Sequence, residues 1–305
     1  MELLTGNKTR ACLLSLAVFC CGCHPSSEGG VNAADAADDW PKDATRFEET
    51  DLETVFSDGW VHANTAFDWS GGTAASAKGP ASMSFNFTGT RIRWYGWRES
   101  GAGIARVLLD GKSAGKVDQY SNTIEVGAPV FTSKELEQGQ HTLTIEVTGD
   151  ANRDSSGTTV FVDAFEVVSL DPVAKPRVRR IEETAGSMSF NGEWNIDSGC
   201  KLCSARRDAW AGGPDAMANF NFTGTRVRWL GWRKQAGGLA NVYLDGAFVG
   251  EFDLYSATTS AQSPLFTSEV LANGPHTLLI EVTGANNPSA AGSLVSVDAF
   301  DVAVD

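Results

Sequence analysis

The chain has 305 residues and a formal net charge of −14. This charge would repel a phosphate backbone, so the composition argues against nucleic acid as a partner. Glycine occurs 32 times and aromatic residues make up 10% of the chain, which is typical of many short strands joined by tight turns. We therefore expect a β protein that does not bind nucleic acid.

The first 23 residues have the pattern of an export signal. Basic residues precede an apolar stretch over 11–19, which is too short to span a bilayer as a mature helix. The end resembles a bacterial lipobox, with Gly22 directly before Cys23, although Cys20 stands where leucine is usual. The resemblance implies a lipid at Cys23 and a membrane-anchored lipoprotein at the cell surface or periplasmic face. An ordinary secretory signal is the alternative, and export is expected in either case.

The chain contains a tandem repeat. The run from Phe87 to Val167 recurs from Phe222 to Val302, 135 positions further along, with FNFTGTRIRWYGWR matching FNFTGTRVRWLGWR. This indicates duplication of one domain. A binding module is commonly used in tandem, so the repeat favours binding over a single catalytic centre.

Composition divides the chain into five segments. Residues 24–44 are mostly small or acidic, which predicts a flexible tether after the signal peptide of residues 1–23. Domain 1 is predicted over 45–170 and domain 2 over 179–305, each large enough for one core. Two prolines make residues 171–178 a short stiff linker.

Alternating apolar residues predict strands throughout both domains. Helical periodicity is lacking, and turn residues recur about every ten positions. The last strand changes phase between Val162 and Phe165, and its repeat does the same, which predicts bulges at Asp163 and Asp298. The fold class is therefore all-β, with two tandem antiparallel β-sandwich (jelly-roll) domains.

The order of motifs in each domain supports a family resemblance. An early Glu-Glu pair, a central V-x-L-D-G, then H-T-L-x-I-E-V-T-G and a final V-D-A-F resemble the galactose-binding-like β jelly roll of carbohydrate-binding modules, closest to families 6 and 35. The resemblance implies a glycan or polysaccharide as partner. The same fold also serves as a spacer, so function must be argued from the site.

The resemblance implies a sugar site in each domain. Family members often hold sugar with a loop aromatic and with an asparagine before the last strand, where an indole covers the C–H face of a pyranose. The following arginines could bind hydroxyls or a carboxylate, and nearby tyrosines could add a platform. The matching residues are Trp97, Arg98, Tyr120 and Asn152 in domain 1, and Trp232, Arg233, Tyr255 and Asn287 in domain 2. Rim packing is the alternative for both tryptophans.

The resemblance also implies a structural calcium between an early glutamate and the aspartate of the final strand. Carboxylate oxygens suit this ion. The ligands would be Glu48 or Glu49 with Asp163 in domain 1, and Glu182 or Glu183 with Asp298 in domain 2. No other cofactor is expected.

Cys200 and Cys203 form the only Cys-x-x-Cys pair that would remain after lipidation of Cys23. No second pair or suitably spaced histidine follows, which argues against zinc. Export favours a local disulfide. His141 and His276 share the phase of inward residues and are interpreted as structural.

No phosphate loop, metalloprotease motif or nucleophile elbow occurs in the chain. The sequence therefore predicts that the protein is not an enzyme. It predicts a carbohydrate-binding surface lipoprotein with two weak glycan sites that act by avidity. The alternative is a structural or adhesive cell-surface protein whose sandwiches act as spacers or contact a surface protein.

Overall fold

The computed structural model describes residues 40–63, 68–171 and 173–304. The predicted signal peptide, Cys23 and nearly all of the predicted tether lie outside these residues. The all-β prediction is confirmed, because strands and two short 3-10 turns make up the regular structure described. Within the described ranges, no helix has the length and apolar character needed to cross a bilayer.

A first sandwich uses twelve strands. They are β1 (Thr45–Glu48), β2 (Thr54–Phe56), β3 (Val61–Ala63), β4 (Ala74–Ala77), β5 (Ala81–Gly89), β6 (Arg91–Arg98), β7 (Gly103–Leu109), β8 (Lys112–Asp118), β9 (Glu125–Thr132), β10 (Gly139–Ala151), β11 (Val160–Val162) and β12 (Ala164–Val168). Its sheets have the strand orders β1-β12-β6-β9, β2-β5-β10-β7-β8 and β11-β4-β3. A 3-10 turn over Ser70–Gly72 precedes β4.

A second sandwich repeats this plan. Its strands are β13 (Arg177–Glu182), β14 (Met188–Asn191), β15 (Asn195–Asp197), β16 (Asp208–Ala211), β17 (Met217–Gly224), β18 (Arg226–Arg233), β19 (Leu239–Leu244), β20 (Ala247–Asp253), β21 (Ser260–Thr267), β22 (Gly274–Val282), β23 (Val295–Val297) and β24 (Ala299–Val304). The sheets are β13-β24-β18-β21, β14-β17-β22-β19-β20 and β15-β16-β23. A 3-10 turn over Ser204–Arg206 precedes β16.

Stacked phenylalanines join the two large sheets of each sandwich. The ring centroids of Phe85 and Phe165 lie 4.4 Å apart, and those of Phe220 and Phe300 lie 4.2 Å apart. All four rings are buried, and each contributes roughly 1.5–3 kcal/mol through removal of apolar surface from water. The identical aromatic pattern of the two repeats thus produces the same core twice.

The predicted phase change in the last strand is present as a strand break. Asp163 separates β11 from β12, and β11 pairs with β4 whereas β12 pairs with β1 and β6. The backbone N–H of Asp163 donates to the Tyr95 carbonyl at 3.0 Å. Asp298 repeats this arrangement with Leu230 at 2.9 Å. The chain therefore changes sheets at an aspartate, whose side chain is left at the corner between the sheets.

Arg228 holds the second sandwich against the first. Its guanidinium is buried and donates hydrogen bonds to the backbone carbonyls of Thr50 and Asp51, in the turn after β1, and of Thr54, the first residue of β2. Burial lowers the pKa of Arg228 to about 10, so the group remains charged at neutral pH. Arg226 adds a bond of 2.8 Å to the Leu52 carbonyl.

The connection between the sandwiches is short and fixed. β13 begins at Arg177, so the last two residues of the predicted linker lie in a strand. Lys175 donates to the Asp51 carboxylate at 2.7 Å and thereby ties the connection to the same turn that Arg228 contacts. All described residues belong to one compact unit. The domain boundaries over 45–170 and 179–305 stay a prediction.

Replacing Arg228 with methionine should separate the sandwiches without disrupting either core. Three backbone carbonyls would lose a charged donor, and each buried acceptor left unsatisfied costs about 1–3 kcal/mol. We expect the free energy of unfolding to fall by about 3 kcal/mol or more, together with faster proteolysis at residues 173–176. Urea denaturation and limited proteolysis measure both effects.

Arg106→Met is the control for this substitution. Arg106 lies on β7, its side chain is 54% exposed, and it pairs with Glu146 on the surface. An exposed pair of this kind contributes little, so stability should stay within about 0.5 kcal/mol. Equal results for the two variants would contradict the role given to Arg228.

Candidate functional site

Most of the predicted sugar-binding residues of the first sandwich gather at one end. Arg98 ends β6, Tyr120 follows β8, and Asn152 follows β10. A bridge between Glu99 and Tyr120 joins the first two turns. The Asn152 amide donates to Asp118 at the end of β8, at 2.7 Å. We call this group of turns, with the 3-10 turn at Ser70–Gly72, the loop end of the first sandwich.

Trp97 is a packing residue, and the prediction of a sugar platform there is not supported by its position. It is only 3% exposed. The ring of Trp69 lies 4.8 Å from that of Trp97, and the ring of Phe161 lies 6.0 Å away. Trp97 therefore packs against other rings. Trp69, in contrast, is partly exposed at this end.

In the second sandwich a disulfide stands in the place of Trp69. Cys200 and Cys203 are bonded, with 5.5 Å between their Cα atoms. Cys203 directly precedes the turn at Ser204, as Trp69 precedes the turn at Ser70. The indole N–H of Trp232 lies 3.1 Å from the Cys203 sulfur. Trp232 remains partly exposed, unlike its counterpart Trp97.

Both predicted asparagines hold their own loops. The side-chain oxygen of Asn152, Oδ1, accepts a hydrogen bond from the backbone N–H of Asp154 at 3.1 Å, and its side-chain amide donates to Asp118. Asn287 repeats this with Ser289 at 2.9 Å and Asp253 at 2.6 Å. The side chains are therefore engaged by the protein, and the prediction that they bind sugar hydroxyls is not supported by these contacts.

The two tyrosines follow the same aspartates. The backbone N–H groups of Tyr120 and Tyr255 donate to Asp118 and Asp253, at 2.9 and 2.8 Å. Both side chains are partly exposed. They remain available as platforms at the loop ends.

The two predicted arginines are not equivalent. Arg233 is 4% exposed and donates to Asp58 of the first sandwich and to the Asp253 carbonyl, each at 2.8 Å. It is therefore part of the contact between sandwiches, which contradicts its predicted role in ligand binding. Arg98 is partly exposed, and its Nε has no hydrogen-bond partner among the described residues. Only the first sandwich thus presents this arginine to solvent.

A carboxylate cluster lies beneath the loop end of the first sandwich. The backbone N–H of Ser70 donates to Asp163 Oδ1, and its hydroxyl donates to Glu48 Oε1, both at 2.9 Å. Glu49 is completely buried. Its two oxygens, Glu48 Oε2 and Asp163 Oδ2 are all buried without a hydrogen-bond partner. Desolvation by burial raises the pKa of Glu49 to about 8 and that of Asp163 to about 6.

The second sandwich has the same carboxylate cluster with one addition. Ser204 donates to Asp298 and to Glu182, at 2.9 and 2.8 Å. Arg207 lies 3.4 Å from Glu183, where the first sandwich has Thr73. Burial raises the pKa of Asp298 to about 7. Arg207 thus places a guanidinium beside Glu183, whereas in the first cluster the Nε of Arg46 lies 3.8 Å from Glu48 Oε1.

The two carboxylate clusters differ in how well they suit a bound cation. Buried carboxylate oxygens without donors fit a hard cation. The first cluster offers four of them, and the second offers three, which are Glu182 Oε2 and both oxygens of Glu183. The sequence alone did not reveal which glutamate of each adjacent pair is buried. In the structure it is the second residue of each pair, Glu49 and Glu183. Among the described residues, one group of three ligand atoms lies within 4.8 Å of one another, that of Cys200, Cys203 and Asp208. Its two sulfurs are joined in the disulfide.

Comparison with curated proteins identifies two related enzymes. The chain is 29% identical over 275 residues to the A type blood α-D-galactosamine galactosaminidase of Flavonifractor plautii, a match that covers 84% of the chain and 24% of that enzyme. It is 31% identical over 138 residues to the A type blood N-acetyl-α-D-galactosamine deacetylase of the same organism, covering 45% of the chain and 17% of the enzyme. The chain thus spans a quarter or less of each relative. No protein-family model matches it.

Solved structures give only weak similarity. A Paenibacillus xanthan lyase is 16% identical, covers 82% of this chain and 25% of its own, and has a TM-score of 0.32. A family 36 carbohydrate-binding domain of a xylanase from the hindgut metagenome of Trinervitermes trinervoides is 14% identical, covers 41% of this chain and 95% of its own, and has a TM-score of 0.28.

The curated relatives contradict the functional prediction made from the sequence. That prediction was a non-catalytic glycan-binding protein, with a structural or adhesive protein as the alternative, and no enzymatic activity. Both relatives are named as enzymes, so the predictions of no catalysis are wrong. Tandem repetition and the lack of short catalytic motifs were weak evidence, since glycosidase carboxylates have no fixed spacing in sequence.

The buried carboxylates should make the metal-free protein less stable as pH rises. An acid whose pKa is raised by folding binds its proton more tightly in the folded state, so its contribution is fully present below the ordinary pKa and is lost as pH rises through the folded one. For Glu49 this window runs from 4.5 to about 8. We expect the urea midpoint in EDTA to fall between pH 5 and pH 8.

Glu49→Gln tests the source of this effect. The amide keeps the shape of the protonated acid and does not ionise, so the variant should exceed the wild type in stability at pH 8, by a few kcal/mol at most, and match it at pH 5. Subtracting the free energy of unfolding of the wild type from that of the variant at each pH cancels the contributions of the other titrating groups. A difference that does not change with pH would contradict the assignment to Glu49.

Proposed function

We propose that the protein takes part in the enzymatic hydrolysis of glycans that end in α-linked galactosamine, and that the loop end of its first sandwich contacts that sugar. The carrying observation is the match to a galactosaminidase over 84% of the chain, which includes both sandwiches. Export, with lipid attachment at Cys23, is part of this proposal. A glycan is the partner, and the reaction class and terminal sugar are taken from the relative.

The charge of the chain supports an amino sugar. A galactosamine without its acetyl group carries an ammonium at neutral pH, and a net charge of −14 attracts such a cation. Asp118 and Glu99 lie at the loop end of the first sandwich. An N-acetylated sugar is neutral and would gain nothing from this field.

Arg98 is the side chain best placed to contact sugar hydroxyls there. The side chain is partly exposed, and its Nε is buried without a hydrogen-bond partner among the described residues. Contact with sugar hydroxyls is therefore assigned to its terminal Nη groups. Tyr120 and Trp69 add partly exposed ring surface at the same end, and sugar C–H faces bind to such rings. The second sandwich lacks this combination because Arg233 is engaged with Asp58.

Deacetylation is the second candidate reaction, because the deacetylase match has the higher identity, 31%, although it covers 45% of the chain. The products distinguish the two reactions. Hydrolysis releases galactosamine from the de-N-acetylated glycan, whereas deacetylation releases acetate from the N-acetylated glycan.

The test uses a type A trisaccharide with terminal α-galactosamine and its N-acetylated counterpart. We expect the protein to release galactosamine from the first, measured by anion-exchange chromatography. Arg98→Ala should raise KM about tenfold, which corresponds to about 1.4 kcal/mol of lost binding. Its kcat should stay within about twofold, because Arg98 is assigned to sugar binding.

Arg153→Ala is the matched control. Arg153 lies near the same end, its side chain is 91% exposed, and it pairs with the neighbouring Asp154. The variant removes the same charge and should leave KM unchanged. Failure to bind or convert either trisaccharide would contradict the proposed function, and equal KM values for the two variants would contradict the placement of the sugar at Arg98.

We infer further that the first carboxylate cluster holds a calcium ion and that the second does not. Glu48, Glu49 and Asp163 would supply oxygens, of which four are buried without partners. When bound, the ion would offset two of the three carboxylate charges and fix the turn at Ser70 beneath the loop end. In the second cluster Arg207 already lies beside Glu183.

Calcium titration at pH 8 should therefore give one site per chain. Glu49→Gln should remove it, and Arg207→Thr, which restores the residue of the first sandwich, should create a second. Calcium at a hundred times its Kd would stabilise the protein by about 2.7 kcal/mol. Isothermal titration calorimetry measures the stoichiometry, and zero or two sites in the wild type would contradict the inference.

A further inference from the structure

A groove of about 670 Å³ lies between the two sandwiches, away from the loop end. Its volume is in the range of small-molecule clefts, which occur preferentially at interfaces of this kind. The first sandwich contributes strands β5 and β10 and the turn after β1, and residues 173–176 of the connection form one side. The residues that line the groove include Glu53, Asn86, Thr88, Arg226 and Val270.

We propose that this groove is a second saccharide-binding site, which accepts the same galactosamine-terminated glycan at an inner sugar unit. The proposal rests on the proposed function for the identity of the glycan. It rests on the groove itself for the location of the site.

Arg226 is a buried arginine with hydrogen-bond donors that lack partners. It is 7% exposed and lines the groove. A guanidinium has five N–H donors, and Arg226 makes a single hydrogen bond among the described residues, from Nη1 to the Leu52 carbonyl. Its Nε is buried without a partner. A buried charged donor in this state is unusual in a folded protein, and an oxygen-rich ligand would satisfy it.

Glu53 supplies the complementary acceptor. It lines the same groove as Arg226. Burial raises the pKa of Glu53, and the nearby charges of Arg226 and Arg228 oppose that shift. A sugar hydroxyl can accept from a guanidinium and donate to a carboxylate at once. Asn86 and Thr88 add polar groups, and Val270 adds apolar surface for the C–H groups of a pyranose.

The second sandwich contains an incomplete copy of this site. A cavity of about 350 Å³ is lined by Asn221, Phe222 and Thr223, the counterparts of Asn86, Phe87 and Thr88. Ser187 stands where the first sandwich has Glu53. Arg179 of the same sandwich also lines this cavity, but it is exposed, whereas Arg226 is buried. The asparagine and threonine are thus common to both, whereas Arg226 and Glu53 distinguish the groove.

Substitutions that fill each cavity separate the two. Thr88 and Thr223 are exposed, equivalent positions on β5 and β17. Thr88→Trp would occupy the groove, and Thr223→Trp would occupy the smaller cavity. Because both side chains point outward, both variants should keep the thermal midpoint of the wild type, which a melting curve checks.

The experiment is calorimetric titration with the galactosamine-terminated trisaccharide. We expect two sites in the wild type and in Thr223→Trp, and one in Thr88→Trp. Arg98→Ala should leave the groove site at its wild-type affinity and weaken the loop-end site about tenfold. In the double variant Thr88→Trp with Arg98→Ala, only the weakened loop-end site should remain. Glu53→Gln should weaken the groove site about tenfold.

The outcomes distinguish failure of this inference from failure of the proposed function. A single wild-type site that is weakened about tenfold in Arg98→Ala and unchanged in Thr88→Trp would overturn the groove and leave the proposed function standing. A single site that is lost in Thr88→Trp and unchanged in Arg98→Ala would support the groove and overturn the loop-end site. No binding and no released galactosamine would overturn both.

Discussion

The buried guanidinium of Arg228 is the contact on which the arrangement of the two sandwiches depends. It donates to three backbone carbonyls, two in the turn after β1 and one at the start of β2, so the second sandwich is fixed to a rigid part of the first. Two consequences follow. Arg233 is brought to Asp58 and removed from solvent, and Arg226 is brought over Glu53 to form the groove. A charge buried this completely is costly unless every donor is matched, which favours one docked geometry.

The same interaction makes two nearly identical repeats unequal. Arg98 and Arg233 occupy equivalent positions, yet the first is partly exposed and the second is engaged between the sandwiches. The 3-10 turns differ as well, since Trp69 covers Trp97 in one repeat and the Cys200–Cys203 disulfide lies beside Trp232 in the other. A model of two equal sites acting by avidity therefore does not describe this molecule.

The relation to two enzymes changes what such an asymmetric pair is expected to do. A single open arginine, a tyrosine and an indole at one end of the first sandwich can orient one glycan. The carboxylate cluster beneath them sets the position of the turn at Ser70. The buried carboxylates therefore help to set the position of the surface groups to which the proposed function assigns sugar contact.

The sequence by itself determined the two β-sandwiches and the change of phase at Asp163 and Asp298, because these depend on alternation along one strand. It could not assign the roles of Trp97, Asn152 and Arg233. Burial of Trp97 requires Trp69 from a distant turn, Asn152 is bound by Asp118 from another strand, and Arg233 meets Asp58 of the other sandwich. Which glutamate of each pair is buried was likewise decided by the corner between sheets. Local alternation fixes which side of a strand faces the core, whereas the availability of a polar or aromatic group depends on neighbours that only the tertiary structure brings into contact.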